Sequence, residues 1–313
     1  MKRKLGIVLL ACISLSFFSC KKFSNGDTIT QSRQMDKPFQ IIEMRDNVNV
    51  TLKHCDPNNP AGKVVITTGE NLIDNISTDI EQLKQPVAHD NMIDTLNLNK
   101  LIIRNGNTLD FLRPYEYTLE MTVYYDSLLK LIFNSNATIT TDTLRGYNFW
   151  TDFSSDDDTL STTSYSLMPN LLLDIDGGSG EFTVFTNCYR LLTQQLHGTA
   201  NIHFCGYAER AETYGGYDSH GIIDGQHLEA NVYHTVHYAG TNTVIAKAFN
   251  QINVKNENIG RVFYVKFNKT KQVIIPPHME DGHWVLADTV PDSTFHCPLR
   301  LNINGDNVAP YTD

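Results

Sequence analysis

The sequence predicts an all-β protein: a right-handed parallel β-helix with coils of about 20 residues, preceded by N-terminal strands and closed by a C-terminal cap. Three observations predict it. A turn-then-strand phrase recurs as Gly178-Ser-Gly-Glu-Phe-Thr-Val184, Gly198-Thr-Ala-Asn-Ile-His-Phe204 and Gly240-Thr-Asn-Thr-Val-Ile-Ala246, with weaker echoes near Asn136, Asp156, Gly216 and Gly260. The composition favours strands, with 14 Tyr, 15 Phe and abundant Thr, Val and Ile. No segment is apolar at helical spacing for three clean turns, and 70–84 is the one place for a short helix.

Residues 1–19 read as a signal peptide. Lys2, Arg3 and Lys4 form a basic start, and Leu5 to Phe18 is apolar but short for a bilayer span. The stretch ends in Phe17-Phe18-Ser19-Cys20, which resembles a bacterial lipobox with Phe where Leu is usual at position 17. Cys20 is therefore the expected lipidation site, and acyl chains there would hold the protein on a membrane surface. Residues 20–38 are polar and read as a lipidated tether.

Residues 39–125 read as the N-terminal β region. Phe39-Gln-Ile-Ile42 and Val48-Asn-Val-Thr-Leu52 alternate as half-buried strands do, Asp56-Pro-Asn-Asn-Pro60 has loop chemistry, and Lys63-Val-Val-Ile-Thr67 resumes the pattern. Leu96–Ile103, Tyr117–Tyr125 and Leu128–Phe133 continue it.

Residues 126–275 read as the regular coils. Aligning glycines 178, 198 and 240 places Phe182, Ile202 and Val244 in one column and Val184, Phe204 and Ala246 in a second. Alternation puts both columns on one face, pointing into the coil. Glycine at the corner suits a turn with positive φ. Val273-Ile-Ile-Pro-Pro277 then breaks the beat, because proline donates nothing to a central ladder. Glu280-Asp-Gly282 reads as a turn before Trp284, and 276–313 as capping strands over the exposed end.

The phrases Phe39-Gln-Ile-Ile, Asn47-Val-Asn-Val-Thr-Leu, Gly69-Glu-Asn-Leu-Ile-Asp-Asn-Ile and Gly178-Ser-Gly-Glu-Phe resemble the head GIN domain proteins, Bacteroidetes lipoproteins also described as auto-transporter adhesins. The resemblance spans roughly residues 39–267. It implies a right-handed β-helix in the cell envelope and brings no catalytic residues. The adhesin description follows from architecture, which does not license function. In such lipoproteins acidic residues just past the cysteine mark surface export. Lys21 and Lys22 stand there instead, so the periplasmic side of the outer membrane is expected.

The formal net charge is −10, and the leader carries basic residues only, so a nucleic-acid partner is excluded. Four cysteines follow Cys20, namely Cys55, Cys188, Cys205 and Cys297. They fit either disulfides or buried free thiols, and no Cys-x-x-Cys motif exists. Candidate carboxylates for a polysaccharide lyase or hydrolase are Asp156 to Asp158, Asp174, Asp176, Asp218 and Asp224, with Arg190 and Arg210 as basic neighbours. Most stand beside turn residues, where Asp is favoured for local hydrogen bonds. A carbohydrate-active enzyme is thus the alternative reading, and no cofactor is expected.

Histidines 197, 203, 220, 227, 234 and 237 crowd one window, but His234 and His237 point to opposite faces, so exposed histidines rather than a metal centre are expected. Strand parity puts His220, Ile222 and Asp224 on one face. Tyr207, Tyr214, Tyr217, Tyr233 and Tyr238, with His220, form the candidate face for a glycan or envelope protein, since outward tyrosines stack on sugar rings. Thr28, Thr95, Ser127, Thr143, Thr159, Thr289 and Ser293 each follow Asp in a context that resembles the Bacteroides O-glycosylation sequon. The reading is a non-catalytic, lipid-tethered envelope scaffold.

Overall fold

Two ladders of parallel strands share one continuous apolar interior. The structure, a computed structural model, describes residues 25–89, 92–107, 119–134, 136, 138–152, 165–257, 259–265, 273–275, 278–280, 283–285, 288–290 and 299–311. The strands begin with β1 (Thr28–Gln34), β2 (Ile41–Arg45), β3 (Asn49–His54) and β4 (Lys63–Gly69). A 3-10 turn at Ile73–Asn75 leads into the hairpin of β5 (Ile76–His89) and β6 (Met92–Asn105). Then come β7 (Glu120–Tyr125), β8 (Lys130–Asn134), β9 (Ile139–Arg145), β10 (Tyr147–Asp152) and β11 (Tyr165–Asp176). Three long strands follow: β12 (Glu181–Gly198), β13 (Asn201–Ser219) and β14 (Ile222–His237). After β15 (Thr243–Lys247), β16 (Gln251–Asn256) and β17 (Arg261–Val265) stand four short strands: β18 (Val273–Ile275), β19 (His278–Glu280), β20 (His283–Val285) and β21 (Asp288–Val290). β18 pairs antiparallel with β21 and β19 with β20, and the chain closes with β22 (Arg300–Gly305) and β23 (Val308–Pro310). No α-helix occurs among the described residues.

The first ladder stacks β6, β2, β8, β11, the second halves of β12, β13 and β14, then β16 and β22, all parallel. The second stacks β7, β3, β9, the first halves of β12, β13 and β14, then β15, β17 and β23, again parallel. Each long strand serves both ladders. It crosses between them where alternation breaks and two successive residues leave the interior, at Tyr189-Arg190, Glu209-Arg210 and Asn231-Val232.

The interior is built of stacked columns. Phe182, Ile202, Ile223, Val244 and Val262 pair rung to rung, none more than 1% exposed. Val184 pairs with Phe204, and Ala246 with Tyr264. On the other ladder Leu171, Leu191, Ala211, Tyr233 and Ile252 form a column in which small Ala211 sits beside large Tyr233. Burying each such side chain is worth roughly 1.5–3 kcal/mol before chain entropy is charged. The final rung shows the dependence on neighbours: Leu301 and Ile303 pair with Ile252 and Val254 yet stay 37% and 44% exposed, with one adjoining rung among the described residues instead of two.

The corner glycines behave as the phrase predicts. Gly178, Gly198 and Gly240 have φ of 86°, 90° and 91°, and a Cβ on Gly198 would stand 2.5 Å from the Gly178 carbonyl oxygen.

Three expectations need correction. Residues 28–34 are a strand rather than part of a tether: β1 lies along β4 as an antiparallel, largely exposed edge, so it carries no apolar alternation to read. Arg33 ties it down by donating to the carbonyls of Ile76 at 2.6 Å and Ile73 at 3.2 Å. The coils are interrupted after β9, where β10 and β11 pair antiparallel. The echo at Asp156 lies outside the described residues. Ile222 faces outward at 40% exposure, on the same side as His220 and Asp224, and Ile223 takes the inward place opposite Ile202. Finally, β22 and β23 extend the parallel ladders, so part of 276–313 belongs to the stack.

Ile223→Ala should therefore cost about 2–5 kcal/mol in denaturant unfolding, whereas Ile222→Ala should stay within about 0.5 kcal/mol. The reverse order would show that Ile222, not Ile223, points inward.

Candidate functional site

Each inward column has an outward one beside it, because side chains alternate along a strand. On the second ladder two outward columns meet: Phe185, Cys205 and His227, then Asn187, Tyr207 and Glu229. Between them runs Thr186, Gly206 and Leu228. With Thr143 from β9 these columns frame a groove of about 330 Å³ across four rungs. Gly206 forms its floor. Its φ is 97°, and a Cβ there would sit 2.2 Å from the Thr186 carbonyl oxygen, so bare backbone is required.

Phe185 stands 40% exposed at the groove edge, while Tyr207 is 8% exposed. The Tyr207 hydroxyl donates to Glu209, whose other oxygen accepts from Asn231 Nδ2 at 2.6 Å. Burial and the Glu209 charge push the Tyr207 hydroxyl well above the ordinary tyrosine range, so it remains a donor. Asn187 Oδ1 is shielded and has no hydrogen-bond partner, leaving an open acceptor in the lining.

The outward face of the first ladder is closed by charge. Glu212, 2% exposed, accepts from Arg190 Nε at 2.9 Å and Nη2 at 2.7 Å, and from Arg210 Nε at 2.6 Å. Burial alone would raise the Glu212 carboxyl, yet the two guanidiniums hold it below its ordinary value. A general acid needs the opposite shift.

The tyrosines taken from one stretch of sequence do not share one surface. Tyr207 lines the groove, and Tyr214 lies on the other ladder, donating to Glu212 at 3.3 Å. Tyr238, 49% exposed, has the Lys255 ammonium 5.5 Å from its ring centre. The Tyr217 side chain lies outside the described residues. Tyr233 is corrected outright: it is a core residue at 0% exposure, filling space beside Gly225 and Ala211. His220 is exposed, its Nδ1 2.6 Å from Thr241 Oγ1.

The remaining candidates are equally dispersed. Asp174 pairs with Lys130 at 2.7 Å, Asp218 faces His197 at 3.7 Å, and Asp224 faces His203 at 3.2 Å. Asp176 is exposed, and Asp156 to Asp158 lie outside the described residues. Thr28, Thr95 and Thr143 are exposed and Ser127 is half-buried. Thr159 and Ser293 fall outside the described residues, as does the side chain of Thr289. Cys20 and Cys297 also lie outside them, and Cys55, Cys188 and Cys205 are free thiols. Cys188 is fully buried in the core, and burial pushes its thiol up to about 12.

His237, expected on a surface, is fully buried. It belongs to an inward column that turns polar near the corner: Ile175, Gln195, Gly215, His237 and Asn256. Gln195 donates to the His220 carbonyl at 2.7 Å and accepts from Asn242 at 2.9 Å; Asn256 donates to the carbonyls of Gly260 and Asp306. These side chains satisfy turn carbonyls that no ladder reaches. Gly260 leaves room for the imidazole, since a Cβ there would stand 2.6 Å from His237 Nδ1.

Stacked parallel ladders with a shallow outward groove define an all-β scaffold that presents a surface. The chain belongs to the family described as "Putative auto-transporter adhesin, head GIN domain" (DUF2807), whose model matches residues 38–266. No curated protein matches it. The chain is similar over 92% of its length, and 98% of the other chain's, to a "putative adhesin" from Bacteroides fragilis NCTC 9343, at 14% identity and TM-score 0.57. A "putative adhesin" from Parabacteroides merdae ATCC 43184 matches over the same shares at 15% identity and TM-score 0.48. At such identity the first likeness shows the fold alone.

Burial lowers the His237 imidazole from 6.5 to about 4. A base depressed in the folded state gives stability that is present above 6.5 and lost as pH falls toward 4. The urea midpoint of the wild type should drop across that window, and His237→Asn should flatten the drop. An equal slope in the variant would show that other groups carry it.

Proposed function

We propose that this chain is a non-catalytic binding scaffold of the cell envelope, its ladders wound as a right-handed parallel β-helix, and that the groove at Phe185 and Tyr207 holds a carbohydrate. The observation that carries the reading is the groove's chemistry. An exposed aromatic edge stands beside an open backbone floor, and Asn187 Oδ1 there awaits a donor. Sugar rings offer apolar C–H faces to aromatic rings and hydroxyl donors to such acceptors. Glu229 and His227 border the same groove and suit further hydroxyls.

A binding role is supported by the family's adhesin description. It is also supported by the direction in which the buried carboxylate is shifted. Glu212 is kept ionised by two arginines, which suits structure rather than acid catalysis. No helix among the described residues is long and apolar enough to cross a membrane. Attachment is assigned instead to a lipidated Cys20, with the scaffold on the periplasmic side of the outer membrane.

Phe185→Ala and Glu229→Gln, both at partly open positions, should each weaken retention of the chain's best glycan-array ligand at least about tenfold, or ~1.4 kcal/mol. Unchanged retention in both would contradict the groove as the site. Separately, Cys20→Ala should move the protein from the detergent phase to the aqueous phase in a cell fractionation. Continued partition into detergent would remove the lipid anchor from the account.

A further inference from the structure

The two strand ends that open the second ladder bring Asp126 beside His54 and Cys55, about seventy residues earlier in the sequence. β3 and β7 run parallel with His54 opposite Tyr125, so Cys55 falls beside Asp126 just past both strands. The Cys55 amide donates to the Tyr125 carbonyl at 2.7 Å and fixes that juxtaposition. One donor atom each from His54, Cys55 and Asp126 lies within 4.8 Å of the others. This is the one such three-residue group among the described residues.

We propose that His54, Cys55 and Asp126 bind a zinc ion, with the fourth tetrahedral position left to water or another oxygen ligand. Nitrogen, sulfur and oxygen donors together are a set that zinc accepts, at about 2.0–2.3 Å. Bonds of that length set tetrahedral donors about 3.5 Å apart, so side chains whose donor atoms stand within 4.8 Å must close on the ion.

An independent observation points the same way. His54 Nε2 is shielded from water and has no hydrogen-bond partner. A shielded ring nitrogen without a partner is unfavourable as it stands, and a metal bond to the imidazole supplies what is missing. Cys55 is a free thiol, half-buried like His54, while Asp126 is exposed and leaves the ion a path in.

The surroundings hold the donors in place. Asp142 accepts from the His54 amide at 2.5 Å and from the Tyr125 hydroxyl at 2.9 Å, joining both strand ends to β9. The His54 ring meets Tyr125 edge-on, with ring centres 5.9 Å apart. The loop after Cys55 is tied by reciprocal backbone bonds between Asp56 and Asn59 and by the Asp56 carboxylate on the amides of Asn58 and Asn59. A site on two paired strand ends is more rigid than one on a free loop.

The test is titration of the tag-free mature chain with Zn²⁺ under reducing conditions by calorimetry, with Co²⁺ as the spectroscopic probe. One ion per chain is expected, together with a thiolate-to-cobalt charge-transfer band. Cys55→Ser should abolish that band. Asp126→Asn, at an exposed position that leaves the fold intact, and His54→Gln should each weaken Zn²⁺ at least about tenfold, the loss that changes around metal ligands commonly bring. Circular dichroism checks that each variant is folded. The absence of saturable binding would overturn the proposal. So would wild-type affinity in the Asp126 variant, or a band that survives Cys55→Ser.

Discussion

Everything in this molecule depends on parallel rungs pairing in register, because no single rung buries its own apolar face. Phe182, Ile202, Ile223, Val244 and Val262 are shielded by one another, one rung at a time. The backbone ladders set the spacing at about 4.8 Å, which puts like side chains in contact along the axis. Parity along each strand then decides what is left outside. The groove and the Glu212 charge cluster are both consequences of that one alternation.

The corners are where a stack of this kind is most exposed to failure, since the chain must leave one ladder and enter the next. At one corner two successive residues turn outward, and Tyr189, Glu209 and Asn231 occupy that place on adjoining rungs. At the other, left-handed glycines alternate with a buried polar group of Gln195, Ser219, Asn242 and Asn256 that bonds turn carbonyls. His237 joins this polar column without a bond of its own and is held neutral by burial. Burying polar side chains at a turn is favourable only where they bond the carbonyls of that turn, and most of this group does so.

Much of the architecture was legible because glycines 178, 198 and 240 mark equivalent corners, so counting four and six residues onward finds inward positions. The method failed at the coil between them. Its left-handed corner glycine is Gly221 rather than Gly216, and the inward Ile223, opposite Ile202, stands two residues past it rather than four. β1 was illegible for a different reason: an edge strand held by backbone pairing needs no apolar alternation. The candidate site was legible only in part. Tyr207 lines the groove, but Tyr214 and Tyr233 belong to another ladder and to the core, since nearness in sequence does not fix which side of which ladder a residue faces. Phe185 and the trio of His54, Cys55 and Asp126 carry no local spacing signal, because only rung pairing brings their partners alongside.

The most direct test of the stack is amide-proton NMR of the deuterated, ¹⁵N-labelled chain, read for contacts between rungs. Parallel stacking predicts cross-peaks that link Phe182 to Ile202, Ile202 to Ile223, Ile223 to Val244 and Val244 to Val262 in sequence. Cross-peaks that instead join residues symmetrically about each turn, as in antiparallel hairpins, would contradict the account.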